Sequence, residues 1–404
     1  MSEPGPTKPE RNAAPPPSDA PDPVALLERL VAFDTVSARS NLPLIDWVEA
    51  YCRRHGAAVE RVADPTGLKA ALLVSVGPFA SRPGYVLSGH SDVVPAEGQP
   101  WSSDPFILRE AEGRLYGRGT SDMKGFLAVC LALLPEMVAA ELATPIHLAI
   151  SYDEEVGCLG VRPLIDRMLA CMPRPLGCFV GEPTGMEVVV GHKGKSAARL
   201  TFRGRASHSA LAPQGVNAVE YAARFIEHVR LSAEALARDG ARDPLYDVPH
   251  TTGLSSVVQG GTALNIVPDS CSVAFEYRAI GADDAGALAA AAIAYATDTL
   301  VPLMRAVDAA CGVTVEPLID YPGLDTDPEA PIVTLAKRLA GRNGHAKVSY
   351  GTEGGLFERL GGVPAVVIGP GSIARAHKAD EYVTRDELDA CAGFVRRLIR
   401  DCRG

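Results

Sequence analysis

Apolar positions along the chain change their period several times, and each change marks an element. Leu26, Leu27, Leu30 and Val31 recur with helical spacing, so folded sequence is expected to begin near Pro23. Short apolar runs predict strands over residues 70–76, 85–88, 146–152 and 178–180, with 365–368 as another. Residues 126–140 predict a helix, kinked or broken at Pro135, whose missing N–H interrupts the helical hydrogen bonds. Strands alternating with helices in this way predict an α/β layered sheet.

The middle of the chain has a different pattern. Residues 195–203 read as a strand, and 218–229 as a helix with apolar residues at 219, 222, 226 and 229. Residues 254–258 read as a strand, and Cys271, Val273, Phe275 and Tyr277 alternate as in a half-buried strand. An alanine-rich helix from Ala285 to about Arg305 and a strand over 313–319 complete the stretch. Together they predict an α+β unit over 191–320, inserted between two parts of the first domain, 23–190 and 321–404.

Residues 1–22 are rich in Pro, Ala, Ser and charge around Pro15-Pro16-Pro17. They offer too little apolar area to offset ordering, which predicts a disordered tail. A chain of 404 residues is long for one compact unit and agrees with two domains. The formal charge of -10 argues against nucleic acid as a partner and leaves a neutral or cationic small substrate as the better fit. The nine cysteines form no short-spaced pair, so inert thiols in a reducing compartment are expected rather than disulfides or a cysteine–zinc site. The N-terminus lacks the basic and apolar regions of a signal peptide, and the apolar stretch 126–134 is too short to span a bilayer. The expectation is a cytoplasmic protein with no membrane partner.

The candidate chemistry lies in five clusters: Gly89-His90-Ser91-Asp92, Ser121-Asp122-Met123-Lys124-Gly125, Asp153-Glu154-Glu155, Gly181-Glu182-Pro183-Thr184 and Ala376-His377-Lys378. His90, Glu154, Glu155 and Glu182 each follow a predicted strand closely, where ligands bind in open α/β sheets. Two imidazoles and several carboxylates suit zinc, cobalt or manganese, and fit two ions sharing one carboxylate. Such a pair polarises an acyl oxygen and makes hydroxide available near neutral pH.

Each residue also has a plainer reading. Residues i and i+2 on an extended segment point the same way, so Asp92 can orient His90, yet such pairs are commonly surface hydrogen bonds. Asp122 could be a helix cap. Glu154 and Glu155 could be solvated ends of a strand; beside a metal, one could coordinate while the other moves the proton of an attacking water. Spacing leaves open which does which. In the inserted unit, His208 reads as a loop residue, and Asn265 and Arg278 as turn and strand-surface residues, although Arg278 could bind a carboxylate bidentately.

Taken jointly, Ser88-Gly89-His90-Ser91-Asp92, Gly117-Arg118-Gly119 through Gly125, Asp153-Glu154-Glu155, Gly181-Glu182-Pro183-Thr184 and His377-Lys378 resemble the di-zinc aminoacylase and carboxypeptidase family of metallohydrolases, over residues 23–402. Within it the likeness is greatest to the acetylornithine deacetylase branch. The resemblance implies a mixed, mainly parallel sheet flanked by helices, with an inserted lid and dimerisation domain. It implies that His90 and Glu182 bind one metal, Glu155 and His377 the other, and that Asp122 bridges them. Asp92 would orient His90, and Glu154 would be general base and acid. His208 would act in the partner subunit of a homodimer, with Asn265 and Arg278 near the substrate.

The branch rests on Gly351-Thr352-Glu353-Gly354-Gly355-Leu356-Phe357 and Gly369-Pro370-Gly371-Ser372. Glu353, and the absence of an arginine near Leu356, favour an uncharged acyl group. Thr352 and Glu353 are expected beside the substrate, with Glu353 either favouring an ammonium or satisfying loop amides. The function expected is hydrolysis of N2-acetyl-L-ornithine to ornithine and acetate, as in arginine biosynthesis. A related desuccinylase, dipeptidase or general aminoacylase is the alternative, and a non-catalytic binding protein on the same scaffold is another.

Overall fold

The computed structural model describes residues 21–404, so the expected tail, up to residue 20, lies outside the described residues. Asp22 caps the first helix, Pro23–Val31, its carboxylate accepting the Val24 N–H at 3.0 Å.

The larger sheet has nine strands. Its main path runs Ala58–Ala63, Ala70–Val76, Ile146–Ser151, Tyr85–His90, Gly177–Val180, Ala365–Val367, Val189–His192, Leu324–Asp325, and Ala346–Val348 pairs alongside Val189–His192. The central four strands, from Ile146–Ser151 to Ala365–Val367, are parallel. Antiparallel pairs flank them on both sides, so the sheet is mixed with a parallel centre. Ala70–Val76 is buried throughout and divides its side chains by parity. Leu72 and Val74 join the core beneath the helices Leu42–Arg54 and Arg385–Asp401, while Ala71 and Leu73 join the core beneath Val161–Cys171. Helices thus cover both faces, which explains the unbroken apolar character of the central strands.

The helix expected over 126–140 is two, Gly125–Ala132 and Leu134–Ala139. Pro135 sits in the first turn of the second, where its missing N–H breaks no bond.

A second, four-stranded sheet is antiparallel throughout, in the order Thr252–Gly260, Ser270–Ala279, Gly194–Arg203, Gly312–Tyr321. The helices Ala218–Asp239 and Ala285–Ala294 pack on it around Leu200, Phe202, Phe225, Val273 and Phe275. Ala218–Asp239 runs ten residues beyond the expected end at Val229, because none of its last ten residues is buried and of them Leu236 alone packs against the core. The helical stretch Ala285–Arg305 is long and apolar enough to cross a membrane by length and composition. Here its alanine face, Ala285, Ala289, Ala292 and Ala296, lies in the core of this sheet. All nine cysteines are free, and all but Cys171 are buried.

Candidate metal centre

His90 is the last residue of its strand, and Glu182 stands two residues beyond the neighbouring strand Gly177–Val180. The chain before Glu182 is pressed against the helix Gly125–Ala132. A Cβ on Gly181 would lie 2.1 Å from the Phe126 ring, so only glycine allows this approach. Glu154 and Glu155 follow Ser151 through a turn in which Asp153 takes φ 54°. Lys69 holds that turn by bonding Asp153 and the Ser37 carbonyl.

These strand ends converge. His90 Nε2 lies 3.1 Å from Asp122 Oδ1 and 3.6 Å from Glu182 Oε1. His377 Nε2 lies 3.0 Å from Asp122 Oδ2 and 3.1 Å from Glu155 Oε2. Asp122 therefore presents one oxygen to each imidazole. Ligand atoms on a tetrahedral ion with bonds of about 2.0 Å lie about 3.3 Å apart, which these separations match. Glu154 lies on the His90 side, with one ligand atom each from Glu154, His90 and Glu182 within 4.8 Å of one another. Its carboxylate also takes the Cys158 thiol at 3.5 Å.

Asp92 lies against the ring nitrogen of His90 that faces away from Asp122 and Glu182. His90 Nδ1 bonds its backbone carbonyl at 2.9 Å, and its carboxylate is 3.5 Å from the ring. That carboxylate also accepts the N–H groups of Glu154 at 3.1 Å and Glu155 at 3.3 Å and the Ser37 hydroxyl at 2.7 Å. Asp92 thus ties the histidine strand to the glutamate turn.

The electrostatics are those of a cation site. Asp122, Glu154, Glu155 and Glu182 crowd two imidazoles, and without a cation the cluster takes up protons. Burial and neighbouring carboxylates raise Glu154 and Glu182 well above the usual range, and burial with Asp122 raises Glu155 to about 7. Hydrogen bonds to the Asp122 and Glu155 carboxylates raise His377 to about 10. Burial opposes protonation of His90, but Asp122 and Asp92 outweigh it and hold the ring well above its ordinary value. Four carboxylates against two histidines, all hard or borderline ligands, fit two divalent ions. The site opens on one side: the His377 side chain is 48% exposed and that of His90 only 1%.

Among the described residues, no hydrogen bond or ion pair joins His208, Asn265 or Arg278 to this cluster. His208 is exposed, its Nδ1 accepting the Ala210 N–H at 3.1 Å, and the Asn265 carbonyl accepts the Ser209 N–H beside it at 3.0 Å. Arg278 is half-buried and donates from Nε to Glu276 at 2.9 Å. Thr352 and Glu353 stand just before the helix Gly354–Gly361. Both are buried, and Thr352 Oγ1 accepts the Gly354 N–H at 3.0 Å. Glu353 accepts hydroxyl bonds from Ser88, at 3.0 Å, and from Ser151, so it joins the His90 and Glu154 strands from beneath. Its hydrogen-bond partners are strand hydroxyls rather than loop amides.

Four contributors have no role legible in the sequence: Lys69, Tyr350, Glu381 and Arg118, which shows there only as part of a glycine-flanked motif. Tyr350 is close enough to Glu182 and Asp122 that, after burial, their charges raise its hydroxyl further. Glu381 stands four residues after His377, a spacing that could have drawn attention.

Residues 86–401 match the pattern of the Peptidase family M20/M25/M40. The chain is 34% identical to an acetylornithine deacetylase of Myxococcus xanthus over 379 residues, covering 93% of this chain and 96% of that one. Its fold is similar to that of aminopeptidase PepT from Bacillus cereus ATCC 10987, with TM-score 0.72 and 21% identity over 94% of this chain and 98% of that one. It is also similar to the Bacillus subtilis YXEP protein, described as a dinuclear metal binding peptidase, with TM-score 0.63 and 13% identity over 93% and 96%. The chain belongs to the Peptidase family M20/M25/M40, as a metal-dependent enzyme that hydrolyses amide bonds.

Proposed function

We propose that the chain removes the acetyl group from an N-acetyl amino acid, N2-acetyl-L-ornithine foremost, giving the free amine and acetate. The observation that carries the reading is Asp122, with its two oxygens turned to two different imidazoles. His90 and Glu182 would hold one ion, Glu155 and His377 the other, and Asp122 both. Zinc suits this donor set best, and cobalt and manganese are chemically acceptable. When bound, such a pair polarises the acyl oxygen and makes hydroxide available near neutral pH.

The chain's own residues do the rest. His90 donates from Nδ1 to the Asp92 carbonyl, which turns the Nε2 lone pair toward the centre. Glu154 takes the proton of the attacking water and returns it to the departing nitrogen. Asp92 fixes the backbone that carries Glu154. Arg278 would bind the substrate carboxylate, with Asn265 nearby, and His208 would stabilise the oxyanion in the partner subunit.

A homodimer is part of this reading, with residues 191–320 as lid and dimerisation unit. Thr252–Gly260 is an edge strand whose Leu254, Val257 and Val258 are exposed, a surface that soluble proteins usually cover. The relative from Myxococcus xanthus supports the substrate. A panel of acetylornithine, acetylcitrulline, acetylmethionine, succinyl-diaminopimelate and a dipeptide tests it. Fastest turnover of the succinyl compound or the dipeptide would move the enzyme to another branch of its family.

A further inference from the structure

Asp122 and His377 lie 255 positions apart in the chain, yet their side chains meet at 3.0 Å. The segments that carry them are joined by a buried ion pair outside the ligand cluster. Arg118 and Glu381 are each 1% exposed. Glu381 Oε1 accepts the N–H groups of Ser121 at 2.9 Å and Asp122 at 3.0 Å. Its Oε2 accepts the Gly119 N–H at 3.1 Å and the Arg118 guanidinium at 2.6 Å. One carboxylate thus takes four donors, three of them from the backbone leading into Asp122.

Arg118 reaches the other segment twice. It donates to the Lys378 carbonyl at 3.4 Å and to Gln99 Oε1 at 2.6 Å, and the Gln99 amide then donates to the His377 carbonyl at 3.1 Å. The Trp101 ring covers the guanidinium, with its centroid at 5.0 Å. His90 and Glu182, by contrast, stand at or just beyond the ends of two paired strands and need no such support.

We infer that the Arg118–Glu381 pair is a positioning brace that sets the separation of Asp122 and His377, and with it the affinity of the ion on the His377 side. The inference rests on the di-metal reading above. A glutamate here is specific, because an amide would offer one acceptor oxygen and point its NH2 group at other donors. An apolar pair of the same volume could hold the two segments together as firmly, but it could not aim the Asp122 backbone.

The test uses the full chain loaded with zinc and dialysed against graded free-zinc buffers, with bound zinc counted and melting recorded. Glu381→Gln should release one ion at ten- to a hundredfold higher free zinc than wild type does, the usual scale for losing a group that orients a metal ligand. The other ion should shift by less than about threefold. Gln99→Leu leaves the ion pair intact, and should shift the same ion in the same direction by a smaller factor. It decides the matter if Glu381→Gln does not fold. Two ions retained as tightly as in wild type, or both weakened equally, would overturn the brace. A wild type that never holds two ions would sink the di-metal reading itself, and the brace with it.

Discussion

Polar side chains at the strand ends of the nine-stranded sheet are buried and committed to one another, whereas on the four-stranded sheet His208 and Asn265 lie in solvent near uncovered apolar residues. His90 is enclosed by Asp92, Asp122 and Glu182, while Leu254 at the edge of the smaller sheet is 56% exposed. The difference suits a division of labour. A preorganised cluster supplies groups that must hold charge within tenths of an ångström. A surface left open suits residues that act only after something closes over them. If the proposed roles are right, substitutions in the first sheet should act within one chain, and those in the second through a partner.

The most severe break in that contrast is Glu154→Gln. Losing the general base should lower turnover by about 10²–10⁴-fold while both ions remain bound. Metal analysis of the purified variant checks it. An ion lost together with the activity would mean that Glu154 is a ligand, as its place beside His90 and Glu182 allows, and the roles of Glu154 and Glu155 would change places.

His208→Ala addresses the second sheet. Removal of one oxyanion donor should cost about 10²-fold or more in kcat. Mixed with Glu154→Gln under conditions of subunit exchange, the two inactive variants should regain activity, since one site of each hybrid has both residues. No recovery after verified exchange would place His208 in its own chain's site or in none.

What the sequence made legible follows the same contrast. His90, Asp122, Glu154, Glu155, Glu182 and His377 stood out because strand ends and short acidic motifs are local signals, and the structure brings all six together. Val189–His192 and Ala346–Val348 did not, because Gly191 and His192 end the apolar run of the first and Lys347 interrupts the second. Arg118 and Glu381 were hidden for another reason. Their partners are backbone N–H groups and a side chain from the far end of the sequence, and spacing reports neither. Glu353 was visible in its motif but its bonds to Ser88 and Ser151 were not, since a motif gives a residue's address without the direction of its side chain.

Metal removal sharpens the comparison at smaller scale. In the metal-free protein Asp122 and Glu155 hold the His377 imidazole up to about 10, against an ordinary value of 6.5. The stability this adds is fully present below 6.5 and is lost as pH rises through about 10. Glu155, raised to about 7 chiefly by burial, makes its own change below most of that window. Metal-free protein should therefore melt at a lower temperature near pH 10 than near pH 7. Bound metal requires a neutral ring and should remove the His377 part of that slope. His377→Asn should flatten the metal-free profile and leave little for metal to alter. An unchanged slope in that variant would assign the dependence to other groups.

The smallest effect is expected at Glu353, whose hydrogen bonds go to two strand hydroxyls. Its carboxyl is buried and bonded by Ser88 and Ser151, on the strands that end in His90 and lead to Glu154. Glutamine there keeps one acceptor for a serine and gains an NH2 group that the other serine oxygen can accept, so Glu353→Gln should cost about 1 kcal/mol of stability. Catalytic efficiency should fall modestly and by the same factor on acetylornithine and on acetylmethionine, because the change reaches the site only through the strands. A direct contact with the ornithine ammonium would be worth about 1.5–3 kcal/mol and would shift the ratio of the two efficiencies roughly ten- to a hundredfold. Measured ratios within about threefold of wild type keep Glu353 among the groups that hold the first sheet together. A tenfold change would make it a reader of the substrate, and the strict separation between a closed scaffold and an open recognition surface would fail at its centre.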